Sequence, residues 1–116
     1  MADSIIVFHN KRCSKSRCAL EFLNVKGVDY SVVDYLKNIP TYKDLEEIIA
    51  KLGINPEALI RKGEEDFKVN FKDKILSDSE WIEAMVKFPK LIERPIVIKG
   101  KKAIIGRPTE RILEIL

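Results

Sequence analysis

Ile5-Ile6-Val7-Phe8-His9-Asn10-Lys11-Arg12-Cys13-Ser14-Lys15-Ser16-Arg17 sets both the start of the fold and the place of its chemistry. Its first four residues form an apolar run of strand length, rich in β-branched and aromatic side chains. Residues 18–25 carry Cys18, Ala19, Phe22 and Leu23 at helical spacing, and Gly27 suits the stop after them. Cys13 is therefore expected in the turn, at or just before a helix N-terminus. Unsatisfied N–H groups and the macrodipole favour negative charge there. Lys11, Arg12, Lys15 and Arg17 crowd the same few residues. These effects favour thiolate over thiol, which makes Cys13 a candidate activated nucleophile in a natural oxyanion well. The combination predicts thiol chemistry on a negatively charged substrate.

Outward from this segment, Tyr30-Ser31-Val32-Val33-Asp34-Tyr35 reads as a second strand. Strand, helix and strand then form a βαβ unit, whose strands are expected to pair in parallel. A helix should follow, because Thr41 can cap it, Asp44 lies three residues on, and Leu45, Ile48, Ile49 and Leu52 repeat before Gly53. Asn55-Pro56 begins a short helix to about residue 60. Residues 62–74 are polar and read as loop. Ser77 and Glu80 form a capping-box pattern, with Trp81, Ile82, Met85 and Val86 as the apolar face up to Pro89. The stretch from Pro95 to Gly106 reads as a hairpin with its turn at 99–102, and Pro108 opens a terminal helix carrying Ile112, Leu113 and Leu116. The order β-α-β, helices, β-β-α describes an α/β, thioredoxin-like (glutaredoxin-like) fold with a mixed four-stranded sheet. Residues 1–116 are expected to be one such domain, with a helical insertion at about 40–90.

Composition narrows the function classes. The 116 residues are 46% hydrophobic and 34% charged, which fits a globular domain with a real core. The net charge of +3 is spread among interleaved acids, so no nucleic-acid partner is expected. Nothing resembles a leader or an 18-residue apolar span, so the expected location is cytoplasmic and away from the membrane. Two cysteines are too few for a disulfide framework, and one histidine beside them makes a structural zinc site improbable. Glu64-Glu65-Asp66 reads as a solvated run, so no metal is assigned. A monomer is expected.

Three arginines stand apart: Arg61 after the short helix, Arg94 before the hairpin and Arg107 after it. In this topology the loop before the third strand packs against the first helix's N-terminus, so Arg94 is expected to reach Cys13. Pro95 is a candidate cis proline. A guanidinium fork binds tetrahedral oxyanions through paired charge-assisted bonds, and cations near Cys13 lower its pKa. Any one of these arginines, taken alone, is more often a surface charge. His9 suits either of two roles, orienting a catalytic group or satisfying local backbone.

Four segments together carry a resemblance: the stretch from His9 to Arg17, Leu59-Ile60-Arg61-Lys62, Glu93-Arg94-Pro95-Ile96-Val97 and Gly106-Arg107-Pro108-Thr109-Glu110. In order and over essentially the whole chain, they resemble the glutaredoxin-dependent arsenate reductase family, itself related to Spx-type proteins. The resemblance implies a thioredoxin-like fold, Cys13 as catalytic cysteine, and Arg61, Arg94 and Arg107 as an oxyanion-binding triad. It also implies that His9 and Ser16 tune the cysteine. The expected activity is reduction of arsenate to arsenite through an arsenylated cysteine, with glutathione as co-substrate, glutaredoxin as partner and no bound cofactor. Cys18, five residues on, is a candidate resolving thiol, but an intact helix separates such residues by roughly 7.5 Å along its axis, so a buried core thiol is the favoured expectation. The alternatives are a general glutathione-dependent thiol-disulfide oxidoreductase, or an Spx-like redox sensor binding RNA polymerase. Against the sensor, Ser16 occupies the position of a second cysteine.

Overall fold

In the computed structural model, which describes residues 4–116, the chain is built around a central strand, β1 (Ile5–His9). Its apolar run is buried on both sides, because β1 pairs with β2 (Tyr30–Asp34) in parallel and with β3 (Ile96–Lys99) antiparallel. β3 turns through Gly100 and Lys101 into β4 (Lys102–Ile105), giving a four-stranded mixed sheet of order β2-β1-β3-β4. This is the sheet expected from the element order. The crossover between β1 and β2 is α1 (Ser14–Val25), which starts four residues earlier than its apolar spacing suggested.

Contacts divide the chain into two units, the segment up to Asn38 with Arg94–Leu116, and Ile39–Glu93. In the first unit Ile5, Val7, Ala19, Leu23, Val97 and Ile112 form one buried cluster between sheet and helices. Each fully buried aliphatic side chain of this kind stabilises the fold by about 1.5–3 kcal/mol. The last segment, Thr109–Ile115, is a 3-10 helix that closes the cluster through Ile112. Gly106 is required by packing: a Cβ there would stand 3.1 Å from the Pro95 ring and 3.4 Å from Ile112, while its N–H donates to the Pro95 carbonyl at 2.9 Å.

The second unit holds α2 (Tyr42–Leu52), α3 (Glu65–Asn70) and α4 (Asp78–Lys87), with a 3-10 turn at Pro56–Leu59 in place of the expected short helix. Both expected capping boxes form, Thr41 with Asp44 and Ser77 with Glu80. Gly53 ends α2 in the left-handed region at φ 68°, which glycine adopts without a Cβ penalty. An antiparallel bridge of Ile60 to Ile92 ties the unit's ends, with Arg61 N–H donating to the Leu91 carbonyl at 2.7 Å.

The loop expected at 62–74 contains α3, and the reason is aromatic. Phe67 and Phe71 sit one turn apart and both meet the Trp81 ring, at centroid separations of 6.2 and 6.0 Å. Phe88 adds an edge-on contact to Phe71 at 5.7 Å. Glu65 and Asp66 in the first turn suit the helix dipole, so the acidic run is part of a helix start.

Gly106→Ala is expected to destabilise the protein by about 1–3 kcal/mol, because the added Cβ crowds the Pro95 ring and the buried Ile112. A urea titration checks this: the midpoint should fall with the slope unchanged.

Candidate active site

Cys13 is the N-cap of α1, in extended conformation at φ −95° and ψ 122°. Asn10 builds the turn that puts it there. The Asn10 carbonyl accepts from Cys13 N–H at 2.9 Å, its side-chain Oδ1 accepts from Arg12 N–H at 3.0 Å, and its N–H donates to Ser16 Oγ at 3.3 Å. Asparagine suits such a turn because its side chain mimics a backbone acceptor. Arg17, one turn into the helix, reaches back and donates from Nη1 to the Lys11 carbonyl at 2.9 Å. These bonds hold the segment from residue 10 to residue 13 from both sides.

The Cys13 side chain makes no conventional cap hydrogen bond. Burial pushes the thiol pKa up, but the backbone N–H groups of Ser16 and Lys15, the Ser16 hydroxyl and the Arg107 charge together outweigh it and hold the pKa below the ordinary thiol value. No acid occupies the first turn of α1 to oppose this. The anion thus takes the place of a conventional cap acceptor. Cys13 is buried, at 8% exposed.

The guanidinium placed on that sulfur belongs to Arg107, whose Nη2 lies 3.5 Å from Sγ. Its Nε donates to the Arg94 carbonyl at 2.7 Å, so Arg94 supports Arg107 through its main chain. The peptide bonds Arg94-Pro95 and Arg107-Pro108 are both cis; the first was expected from the sequence. Lys11, Arg12, Lys15 and Arg17 are all exposed, and solvent screens charges so placed. The cation acting on Cys13 therefore comes from the far end of the chain, not from its immediate neighbours.

Ser16 is fully buried beneath Cys13 and touches both the sulfur and the Asn10 N–H. His9, at the end of β1, is buried and meets the site through the Ser16 backbone; burial keeps its pKa below the usual imidazole value. The first unit thereby brings together Cys13, His9, Ser16, Arg94 and Arg107. Arg61 is in the second unit, where it pairs with Glu64 and with Glu93, the latter at 3.7 Å. Cys18 corrects the expectation of a core thiol. It is exposed, because the buried stripe of α1 runs through Ser16, Ala19 and Leu23 and turns Cys18 away. Among the described residues no cluster of three or more His, Cys, Asp or Glu is arranged to hold a metal ion, and no helix is long and apolar enough to cross a membrane.

Three residues of the site were not anticipated for the work they do. Asn10 was legible in principle as a turn former ahead of a helix. The clamp by Arg17 on Lys11 and the placement of Arg107 on the sulfur depend on side-chain reach, which sequence does not show.

A mixed sheet of this order, with an N-cap cysteine on the helix after its central strand, defines a thioredoxin-like protein with a single-cysteine thiol site. Within that class the chain belongs to the ArsC family, whose model matches residues 8–115. An arsenate reductase from Haemophilus influenzae is 43% identical to it, over 97% of this chain and 99% of that protein. YfgD of Escherichia coli K12, an uncharacterized protein, is 42% identical over 100% of this chain and 99% of its own. The structure of an arsenate reductase from Vibrio cholerae superposes with a TM-score of 0.93 at 42% identity, covering 100% of both chains.

Arg107→Ala is expected to raise the Cys13 pKa, since it removes the cation and leaves the burial. Alkylation by iodoacetamide measured against pH should show its inflection moving upward, with a several-fold slower rate at neutral pH. An unmoved inflection would contradict the contact.

Proposed function

We propose that this chain is a thiol-dependent arsenate reductase. The observation that carries the proposal is the Arg107 guanidinium on the sulfur of a cysteine that caps a helix. An activated nucleophile in an anion-binding place has a built-in preference for an oxyanion substrate. The names of the relatives support arsenate as that substrate.

In the first step the Cys13 thiolate attacks arsenic, an S–As bond forms, and one arsenate oxygen leaves as water after protonation. Arg107, with Arg94 beside it, compensates the charge on the oxygens that stay. In the second step the sulfur of glutathione attacks Cys13 Sγ. The S–As bond breaks with its electron pair going to arsenic, which falls from As(V) to As(III) and departs as arsenite. The product on the protein is a mixed disulfide of Cys13 and glutathione. Glutaredoxin reduces it by thiol-disulfide exchange and returns Cys13 as thiolate. Sulfur supplies both electrons, which suits a reducing compartment such as the cytoplasm. Ser16 stabilises the Cys13 thiolate before the first attack and again on its return, and His9 lies against the Ser16 backbone.

Arsenate-dependent NADPH oxidation, coupled through glutathione, glutathione reductase and glutaredoxin, tests the proposal. Wild-type protein should turn over, and Cys13→Ser should fall to background while keeping its fold by circular dichroism. Turnover retained by Cys13→Ser would remove Cys13 from the nucleophile's role. A wild-type protein that alkylates readily but leaves arsenate untouched would point to another thiol substrate.

A further inference from the structure

We propose that Asp34 is a positioning residue for the Cys13 reaction, acting through the charge and setting of His9. The proposal rests on the role assigned to Cys13 above. His9 is the last residue of β1 and Asp34 the last of β2, and the parallel ladder sets the two opposite each other. Partners in a parallel ladder project to the same face, and neighbouring strands lie about 4.8 Å apart. The Asp34 carboxylate is held in place by its own turn, since Oδ1 accepts from Leu36 N–H at 3.1 Å. Its backbone carbonyl accepts from Lys37 and Asn38 N–H at 3.1 and 2.8 Å, which stiffens that turn.

The imidazole needs such a neighbour. His9 Nδ1 is buried and has no hydrogen-bond partner among the described residues. Burial penalises the charged ring, Asp34 favours it, Arg17 from α1 disfavours it, and the Ser16 backbone favours it. On the other side of β1, β3 sets Ile96 opposite Phe8, and its charged residue, Lys99, is opposite Ile5 at the far end of the strand; Arg94 lies two residues before β3. Burial is the largest influence on the ring, and against it the Asp34 carboxylate on β2 is the main group that favours the charged form. Asp34 is half-buried and Arg17 exposed, so salt weakens the arginine more than the carboxylate. From His9 the influence passes to Ser16, whose backbone N–H and hydroxyl both stabilise the Cys13 thiolate. Asp34, His9, Ser16 and Cys13 form a line across β2, β1 and the start of α1, and its first member lies outside the segment that carries the nucleophile.

The chain has a single histidine, so its Cε1–H resonance reports His9 without ambiguity. In a pH titration of the full chain by NMR, with no arsenate present, Asp34→Asn should move the His9 midpoint downward. The amide keeps the shape and the acceptor for Leu36 while removing the charge. Arg17→Gln should move the midpoint upward, and Asp34→Glu should bring it back toward wild type. An Asp34→Asn midpoint that stays put or rises would overturn the proposal. The second measurement is Cys13 alkylation at mildly acidic pH, where Asp34→Asn should be slower than wild type. That slowing should vanish when His9 is already Gln, because the carboxylate acts through the ring. Equal slowing in the His9→Gln background would overturn the route through His9. Both shifts present in a protein that fails to reduce arsenate would leave Asp34's role intact and defeat only the substrate assignment.

Discussion

Everything at the site depends on one substitution of roles at the start of α1: a cysteine sulfur stands where a helix ordinarily has a serine, threonine or aspartate oxygen. The first N–H groups of a helix have no internal partner, and some group must satisfy them. Here the backbone N–H groups of Ser16 and Lys15 favour the ionised sulfur, so the interaction at the start of the helix also lowers the thiol pKa. Stability and reactivity are not separable at this residue.

The rest of the first unit holds that arrangement still. Asn10 and Arg17 fasten the turn ahead of Cys13, Ser16 fills the space beneath it, and the sheet brings Arg107 to it from the other end of the chain. Burial of Cys13 opposes the anion, which makes the donors and the guanidinium necessary rather than decorative. Preorganised donors aimed at a buried anion are worth more than the same donors in water.

Much of this was legible from residue order, because the signals were local. Thr41 with Asp44 and Ser77 with Glu80 are capping boxes on inspection, and they form as such. The apolar run of β1 and the Gly100 turn carry their own geometry. What could not be seen needed either long reach or three-dimensional phase. Phe67 and Phe71 look isolated in a polar stretch until Trp81 comes opposite them and makes α3 worth forming. Cys18 lies beside Ala19 in sequence but 100° around the helix from it, and that rotation carries the thiol from core to solvent. The sequence pointed to Arg94 as the residue reaching Cys13, yet the guanidinium on the sulfur is that of Arg107, since a long side chain can be aimed only by its neighbours. Asp34 reads as an ordinary polar end to an edge strand until the ladder places His9 opposite it.

The β3–β4 hairpin gives the two arginines a fixed spacing. Arg94 enters β3 and Arg107 leaves β4, and the ladder between them pairs Ile96 with Ile105. The hairpin works as a caliper whose jaws are set by register rather than by loop length. Extra residues at the Gly100 tip would lengthen the handle and leave the jaws where they are. A single residue lost from either strand would flip the alternation and carry one guanidinium to the wrong face. Insertions at the far end of this hairpin thus leave the spacing of Arg94 and Arg107 intact, while the count of residues along its strands sets where the two stand.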